Sequence, residues 1–282
     1  MAGQRDEPRV GVTSRAPIRW TPPLTHRSAR WLWPLLVLAG AGALGFAILL
    51  MDEISDGRVL KLDSVLLLAL RRPGHLDVPI GPAWLEQSAI DLSALGGFTL
   101  QWLLGGAALG FLVHVRRRAE AAWLGFSLAG ASALDTIFKL SLNRPRPELV
   151  PHLAHVSNAS FPSGHAMISA AIYLTLGAML AEAQPRASTR AYLMSFAGIL
   201  VFLIGVSRIY LGVHWPSDVM AGWCLGSVWA LIAFAANRVF RRRASHRKVF
   251  SAFPSQAREA APQASPAPSD ASVGRLAPPN SL

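Results

Sequence analysis

The chain has little charge and almost no cysteine. Only 15% of its 282 residues are charged, 52% are hydrophobic, and the single cysteine, Cys224, lies within an apolar run. One cysteine excludes a disulfide within the chain, and no cysteine–histidine spacing typical of a metal site is present. Such a composition is too apolar for an ordinary soluble domain. It indicates a membrane protein, for which we expect no metal or other cofactor.

Acidic residues are also scarce. The chain has 16 Asp and Glu against 27 Lys and Arg, which gives a formal net charge of +11. A basic balance can indicate a nucleic-acid partner, but here the basic residues lie mainly in the tails and in short loops beside apolar runs. That placement is typical of membrane topology, with attraction to anionic lipid heads as a secondary effect. We therefore expect the bilayer, and no nucleic acid, as a partner.

Six apolar runs predict membrane-spanning helices, because about 20 residues at about 1.5 Å each cross a core of about 30 Å. The sequence thus predicts an all-α integral membrane bundle of six transmembrane helices over residues 31–236. The stretch 52–92 mixes acids, proline and glycine, and it is expected to be an outer segment with interfacial helices. The first run is longer than the core of a signal peptide, which favours an uncleaved anchor. The predicted spans are roughly 31–51, 93–113, 119–138, 164–183, 190–206 and 215–236.

The two tails and the distribution of positive charge predict the orientation. Residues 1–30 form a basic arm and residues 237–282 a basic tail that becomes rich in Pro, Ala and Ser, and both are expected to be disordered. The basic turns and tails fall on one side of the predicted spans, which the positive-inside rule assigns to the cytoplasm. In a bacterial chain the opposite, outer face is the periplasmic side of the inner membrane. The outer loops then include residues 139–163 and 207–214.

The stretch from Ser207 to Asp218 places an arginine, a histidine and an aspartate in one junction between apolar segments. His214 and Asp218 are four residues apart, so in a helix they share a face and the carboxylate can orient the imidazole. The other ring nitrogen is then free to attack an electrophile, and Arg208 offers a planar fork for phosphate oxygens. The alternative is an interfacial histidine beside a snorkelling arginine.

A second cluster of cations ends the third predicted span. Lys139, Arg144 and Arg146 follow one another with few acids beside them, and such a cluster at a membrane boundary favours an anion. The alternative, which the sequence supports equally, is snorkelling at a helix end together with an Asp135–Lys139 pair at the i,i+4 spacing.

A third polar cluster, Phe161 to His165, comes immediately before the fourth predicted span. Ser163 is expected to cap the helix, and Gly164 allows close approach of the backbone. The free amides of the first helical turn make a site for an anion, with His165 beside it. The alternative is an ordinary helix start with an incidental histidine. All three clusters are predicted at helix ends on the outer face, which favours a shared site.

Taken in order, these clusters resemble a known signature. Six residues separate Lys139 from Arg146-Pro147, and Pro162-Ser163-Gly164-His165 follows. Five residues then separate Ser207-Arg208 from His214, and three more separate His214 from Asp218. The ordered set is similar to the three motifs of the type 2 phosphatidic acid phosphatase family, which also includes vanadium haloperoxidases and bacterial acid phosphatases. The resemblance covers about residues 60–236, and no motif position departs from it.

The resemblance implies a role for each motif residue. His214 would attack phosphorus and form a phosphohistidine, with Asp218 orienting it, and His165 would protonate the leaving oxygen and later help to activate water. The phosphoryl oxygens would be held by Lys139, Arg146, Ser163, the Gly164 amide and Arg208. Phosphoryl transfer needs mainly in-line positioning and electrostatic stabilisation, which this set supplies without a metal.

These residues predict a lipid phosphatase that acts on a terminal phosphate at the outer face. The motifs fit only the phosphate end, so undecaprenyl diphosphate or a phosphatidate-type lipid is expected, with phosphatidylglycerol phosphate and lipid A as alternatives. Two other classes remain. A vanadate haloperoxidase is disfavoured by the predicted spans, because the haloperoxidases it resembles are soluble, and a non-catalytic lipid binder is disfavoured by the presence of both histidines. The oligomeric state is left open.

Overall fold

The computed structural model describes residues 32–55, 60–154 and 159–259. The predicted arm 1–30 and the end of the predicted tail, 260–282, lie outside these residues. The chain divides into two compact units, residues 1–237 and 238–282. In order, the elements are α1 (Leu32–Ser55), α2 (Leu60–Leu68), β1 (Arg71–Arg72), β2 (His75–Pro79), α3 (Ala83–Leu95), α4 (Phe98–His114), α5 (Arg118–Leu142), α6 (Gly164–Glu182), α7 (Ala187–Tyr210) and α8 (Pro216–Glu259).

Four described helices are long and apolar enough to cross a membrane, namely α5, α6, α7 and α8 as far as Arg241. The bent pair of α3 and α4 makes a fifth if it counts as one span. The predicted first span falls on α1, which is not among these. The multi-pass helical architecture is therefore confirmed, whereas the count of six spans is not.

Helix α6 lies at the centre of the bundle. It packs against α4, α5 and α7, and it is the most buried of the candidate spans. Small residues on α8 allow a close approach to it, because a Cβ at Gly222 would lie 2.8 Å from the Ser163 carbonyl oxygen and one at Gly226 would lie 2.2 Å from that of Met167. Glycines four residues apart are a common means of close helix packing in membranes. They place the beginning of α8 directly against the beginning of α6.

The second predicted span, 93–113, is not a single straight helix. Helix α3 begins at Ala83 and ends at Leu95, and α4 continues from Phe98 at an angle of 48°. The break falls at Gly96 and Gly97, where two consecutive glycines weaken the helix. A Cβ at Gly96 would lie 2.4 Å from Ile204 and 3.2 Å from His165. The bend thus lets the chain pass close to α7 and to the beginning of α6.

The segment 52–92, which the sequence predicts to lie on the outer face, contains more than the expected interfacial helices. Between the short helix α2 and α3 lies a two-stranded antiparallel hairpin, in which Arg71 pairs with Pro79 and Arg72 with His75. Arg71 is buried and donates from Nη1 to the carbonyl oxygens of Leu70 and Tyr210. The hairpin is therefore fastened to the end of α7, a long-range contact that the local sequence pattern does not reveal.

The last helix is longer than predicted. The sequence places the end of the last span near 236 and disorder from 237, but α8 continues as a helix to Glu259. Alanine, arginine and lysine, which are frequent after 237, are good helix formers in spite of their polarity.

Four element ends converge at one end of the bundle. Helices α5 and α7 end there, while α6 and α8 begin there, as alternating helix directions require. The Ser163 amide at the start of α6 donates to the Asp218 carbonyl oxygen in the first turn of α8, at 3.0 Å. All three sequence clusters belong to these four ends.

Candidate active site

A cavity of about 360 Å³ opens where these helix ends meet. Six of the eight predicted site residues line it, namely Lys139, Arg146, Gly164, His165, Arg208 and His214. The other two, Ser163 and Asp218, are fully buried and are not among the lining residues. Residues of α4 and α5, including Phe98, Gln101 and Thr136, form further parts of its wall. The three motifs therefore contribute to a single site, as the sequence predicts.

The turn between α7 and α8 places His214 at this cavity. Helix α7 ends at Tyr210, and Gly212 then adopts a φ of +74°, the left-handed conformation common just after a helix. The amide of Gly212 donates to the Ile209 carbonyl oxygen at 2.9 Å. A Cβ at Gly212 would lie 2.7 Å from Nη2 of Arg71. Both the conformation and the crowding require glycine, and the reversal brings His214 back toward the bundle.

His214 has a different charged neighbour at each ring nitrogen. Its Nδ1 lies 3.6 Å from Oδ2 of Asp218, and its Nε2 lies 3.1 Å from Nη1 of Arg146. Arginine can only donate, so Nε2 accepts and the ring proton of the neutral imidazole is assigned to Nδ1, which faces the carboxylate. The Asp218 contact is longer than a hydrogen bond. The arrangement leaves the Nε2 lone pair on the cationic side of the site.

Burial lowers the pKa of His214 to about 4, although Asp218 opposes the shift. The side chain is 2% exposed, and a buried imidazolium loses much of its hydration. His214 is therefore neutral at physiological pH. A neutral imidazole has a free electron pair, which is the form required of a nucleophile.

Three cations face the same cavity, each with its own support. Arg146 donates from Nη1 to the Val213 carbonyl oxygen at 2.7 Å. Lys139 pairs with Asp135 at 2.8 Å, so the helix-end pair considered from the sequence does form, and both residues line the cavity. Arg208 lies in the last turn of α7 and donates to Oγ of Ser93 on α3 at 2.6 Å.

The beginning of α6 differs in one respect from the sequence prediction. Ser163 occupies the cap position, but its side chain makes no capping hydrogen bond. Its Oγ is buried and has no hydrogen-bond partner among the described residues. Gly164 is required sterically, because a Cβ there would lie 2.9 Å from both Oδ1 of Asp135 and Nζ of Lys139. The carboxylate of Asp135 and the ammonium of Lys139 thus approach the helix start directly.

Several buried polar residues that support the site were not predicted from the sequence. Asp218 accepts from Arg144, Ser160 and the Trp215 amide. Arg144 also reaches Asp63 of α2. Asp218 is the third residue of α8, and Trp215 directly precedes this helix. The hydrogen bond from the Trp215 amide to the Asp218 side chain is therefore one of the two bonds of a capping box. Of the partners of Asp218, only Arg144 was considered in the sequence analysis, as a member of the cation cluster. The others are separated in sequence from their partners, and they have no distinctive local pattern.

The PAP2 superfamily profile matches residues 120–242. Phosphatidylglycerophosphatase B of Bacillus subtilis is 39% identical over 94 residues, which are 33% of this chain and 46% of that protein. Decaprenylphosphoryl-5-phosphoribose phosphatase of Mycobacterium tuberculosis is 32% identical over 179 residues, which are 62% of this chain and 88% of that protein.

A solved structure is similar as well. The crystal structure of a transmembrane PAP2 type phosphatidylglycerolphosphate phosphatase from Bacillus subtilis matches with a TM-score of 0.61 and 25% identity, over 71% of this chain and 96% of that one. The chain spans about half the length of the Bacillus relative in the sequence comparison and most of the mycobacterial one. The matched region contains the three motifs that meet at the cavity. This chain belongs to the PAP2 superfamily, whose membrane relatives are lipid phosphatases.

Proposed function

We propose that this protein hydrolyses the terminal phosphate of a membrane lipid phosphate or diphosphate, without a metal, through a phosphohistidine on His214. The observation that carries the proposal is the single cavity in which a neutral, buried histidine meets a second histidine and three cations. A non-catalytic lipid binder needs the cations, but it has no need of the two histidines.

The first half of the reaction transfers the phosphoryl group to the protein. The phosphate oxygens replace His214 as a partner of Arg146 and contact Lys139 and Arg208. The Nε2 lone pair then attacks phosphorus, and the bond from phosphorus to the lipid oxygen breaks in line. His165, which must enter this step as the imidazolium, donates a proton to the departing oxygen, which leaves as an alcohol or a lipid monophosphate, and His165 becomes neutral. The three cations offset the charge on the equatorial oxygens.

The second half releases phosphate. A water molecule in the vacated position gives its proton to His165, now a base, and attacks phosphorus opposite Nε2. The bond from phosphorus to nitrogen breaks, inorganic phosphate leaves and His214 returns to its neutral form. Asp218 faces Nδ1 throughout and stabilises the positive charge that develops on the ring during transfer.

The lipid substrate is proposed at the level of its class. The polar part of the cavity accommodates a phosphate, and the surrounding helices offer an apolar surface for a lipid chain. Undecaprenyl diphosphate and phosphatidate-type lipids remain the first candidates. The two relatives named above add phosphatidylglycerol phosphate and a phosphorylated decaprenyl phosphoribose to the panel. We place the site at the outer face of the inner membrane, on the basis of the positive-inside rule.

The test is release of phosphate by the purified full chain in detergent, with a chelator present, from each of these lipids. We expect release from at least one lipid, and its loss in His214→Ala with expression unchanged. His75→Ala, in the hairpin and away from the cavity lining, is the matched control and should retain full rate. Retained activity in His214→Ala would exclude this mechanism, whereas no release by the wild type from any lipid would favour the non-catalytic binder.

A further inference from the structure

Asp63 is a buried charge for which the three motifs give no reason. It lies on the short outer helix α2, is 2% exposed, and precedes the residues 120–242 that the superfamily profile matches. A buried carboxylate is costly unless hydrogen bonds and an opposite charge compensate for its lost hydration. The residues that compensate it therefore indicate what Asp63 does.

Within the part of the chain that the structure describes, its hydrogen bonds go to Ser217 and Arg144, which lie next to the turn that carries His214. Oδ1 accepts from the Ser217 amide at 2.9 Å, and Oδ2 accepts from Ser217 Oγ at 2.5 Å and from Nη2 of Arg144 at 2.9 Å. The Ser217 amide belongs to the first turn of α8, where amides have no partner within the helix. Asp63 thus caps α8 from a different helix, and its negative charge suits that helix end.

Arg144 extends this contact to the proposed orienting residue. Its Nη1 donates to Oδ1 of Asp218 at 2.5 Å and to Ser217 Oγ at 2.8 Å. One guanidinium is therefore shared between the carboxylates of Asp63 and Asp218, all three groups being buried. Charge-assisted hydrogen bonds of this kind are strong and directional, so they hold the Asp218 carboxylate in one orientation.

The orientation of the Asp218 carboxylate determines how strongly it interacts with the imidazole of His214. Oδ1 is held by Arg144, and Oδ2, which also accepts from Ser160 Oγ and the Trp215 amide, faces Nδ1 of His214. If Asp63 were absent, Arg144 would neutralise Asp218 alone, and the first turn of α8 would lose the cap on Ser217. The carboxylate would then be less well positioned to stabilise positive charge on the imidazole.

We propose that Asp63 is a positioning residue for the hydrolysis: through Arg144 and Ser217 it fixes the carboxylate of Asp218 against Nδ1 of His214. This inference rests on the proposed function. Asp63 is not among the residues that line the cavity, so it acts without touching the substrate.

The first test is Asp63→Asn, which keeps the shape of the side chain. The three groups that bond to Asp63 are all donors, so the NH2 group of the asparagine would face another donor at one of these positions. We expect kcat to fall about 10- to 100-fold, as for other outer-shell partners of reactive groups, while KM changes less than about twofold. Asp91→Asn is the matched control, since Asp91 is an exposed acid on α3 bonded only to Gln87 in the described contacts, and it should keep the wild-type kcat.

A double-mutant cycle separates positioning from general stabilisation. If Asp63 acts through Asp218, adding Asp63→Asn to Asp218→Asn should lower kcat by less than about a further twofold. The carboxylate that Asp63 positions is already absent in that variant. Single-turnover release of radiolabelled phosphate reaches the low rates required. Ser217→Ala is the second variant if Asp63→Asn does not fold; it should lower kcat about fivefold with the same lack of additivity.

The Nδ1–H group of His214 gives a readout that needs no substrate. Its ¹⁵N and proton chemical shifts, assigned by their loss in His214→Ala, should both change in Asp63→Asn, because the carboxylate that faces this group is no longer held in place. An unchanged kcat, an equal loss in both backgrounds, a loss confined to KM, or unchanged Nδ1–H chemical shifts would each overturn the proposal. Failure of the proposed function is distinguishable, since it appears as inactive wild type or active His214→Ala.

Discussion

Nη1 of Arg146 lies 3.1 Å from Nε2 of His214 and 2.7 Å from the carbonyl oxygen of Val213, the residue before it. One guanidinium nitrogen therefore contacts both the proposed nucleophile and the backbone of the turn that carries it. Because arginine only donates, the contact assigns the lone pair of His214 to the nitrogen that faces the phosphate site. Arg146 thus has two proposed functions, to bind phosphate and to select the reactive form of the histidine.

Replacing Arg146 by alanine should lower kcat/KM by about 100- to 1,000-fold, the usual cost of losing a donor that stabilises a transition state. Arg146→Lys should recover only part of the loss, because an ammonium lacks the planar fork. Steady-state phosphate release measures both variants. Arg72→Ala removes a cation that bonds to the Gly81 carbonyl oxygen in the hairpin and is the control. A normal rate in Arg146→Ala would contradict the assignment.

The pH dependence of kcat/KM should reflect the lowered pKa of His214. The imidazole is neutral above about pH 4, so the nucleophile is available above that pH and is lost as the pH falls through it. We therefore expect the acidic limb of the kcat/KM profile that is due to the enzyme to lie below pH 6.5, the ordinary pKa of histidine. Comparing two substrates with different phosphate pKa values separates their ionisation from that of the enzyme. An acidic limb due to the enzyme at or above pH 6.5 would contradict the prediction.

Ser93→Ala should weaken substrate binding by releasing Arg208, whose Nη1 donates to the Ser93 hydroxyl at 2.6 Å. Hydrogen bonds to charged groups contribute about 1.5–3 kcal/mol, so kcat/KM should fall at least about tenfold. Ser88→Ala on the same helix removes a hydroxyl that bonds only to the Trp84 carbonyl oxygen in the described contacts, and it should have no effect. Equal rates for the two variants would show that Ser93 does not support Arg208.

Gly226→Ala should destabilise the fold. The added Cβ would lie 2.2 Å from the Met167 carbonyl oxygen and 2.8 Å from the Ala170 side chain, so α6 and α8 would have to separate. Overpacking of this kind costs about 1–3 kcal/mol, which should appear as a lower Tm in detergent. Gly198→Ala is the control, because no atom lies within 4 Å of its added Cβ. An unchanged Tm in Gly226→Ala would mean that this contact can relax without cost.

Much of the site could be predicted because its residues are close together in sequence. His214 and Asp218 are one helical turn apart, and Ser163, Gly164 and His165 are consecutive. The alternation of apolar runs and basic turns then predicts that their helix ends meet at one face. The Asp135–Lys139 pair shows the limit of this approach, since local spacing alone did not decide between an ion pair and an anion site. The structure contains the ion pair and places both residues in the wall of the cavity where we propose that phosphate binds.

Asp63 and Ser93 could not be predicted in this way. Asp63 lies in the segment 52–92 and Ser93 at the beginning of the predicted second span, and each is buried against a residue at the site more than 80 positions later. The bend at Gly96 and Gly97 could not be predicted either, because the hydropathy pattern indicates one continuous span in this region. Their roles depend on contacts between distant parts of the chain.

The sequence by itself determined the membrane class, the helical architecture and the residue types of the three motifs, because composition, hydrophobic length and short spacings are local properties. The tertiary structure decided which nitrogen of His214 faces Asp218, how Arg144 is divided between two carboxylates, and that α2 contacts the residues beside the site. Burial and hydrogen-bond direction control those features, and both depend on which distant groups are brought into contact when the chain folds.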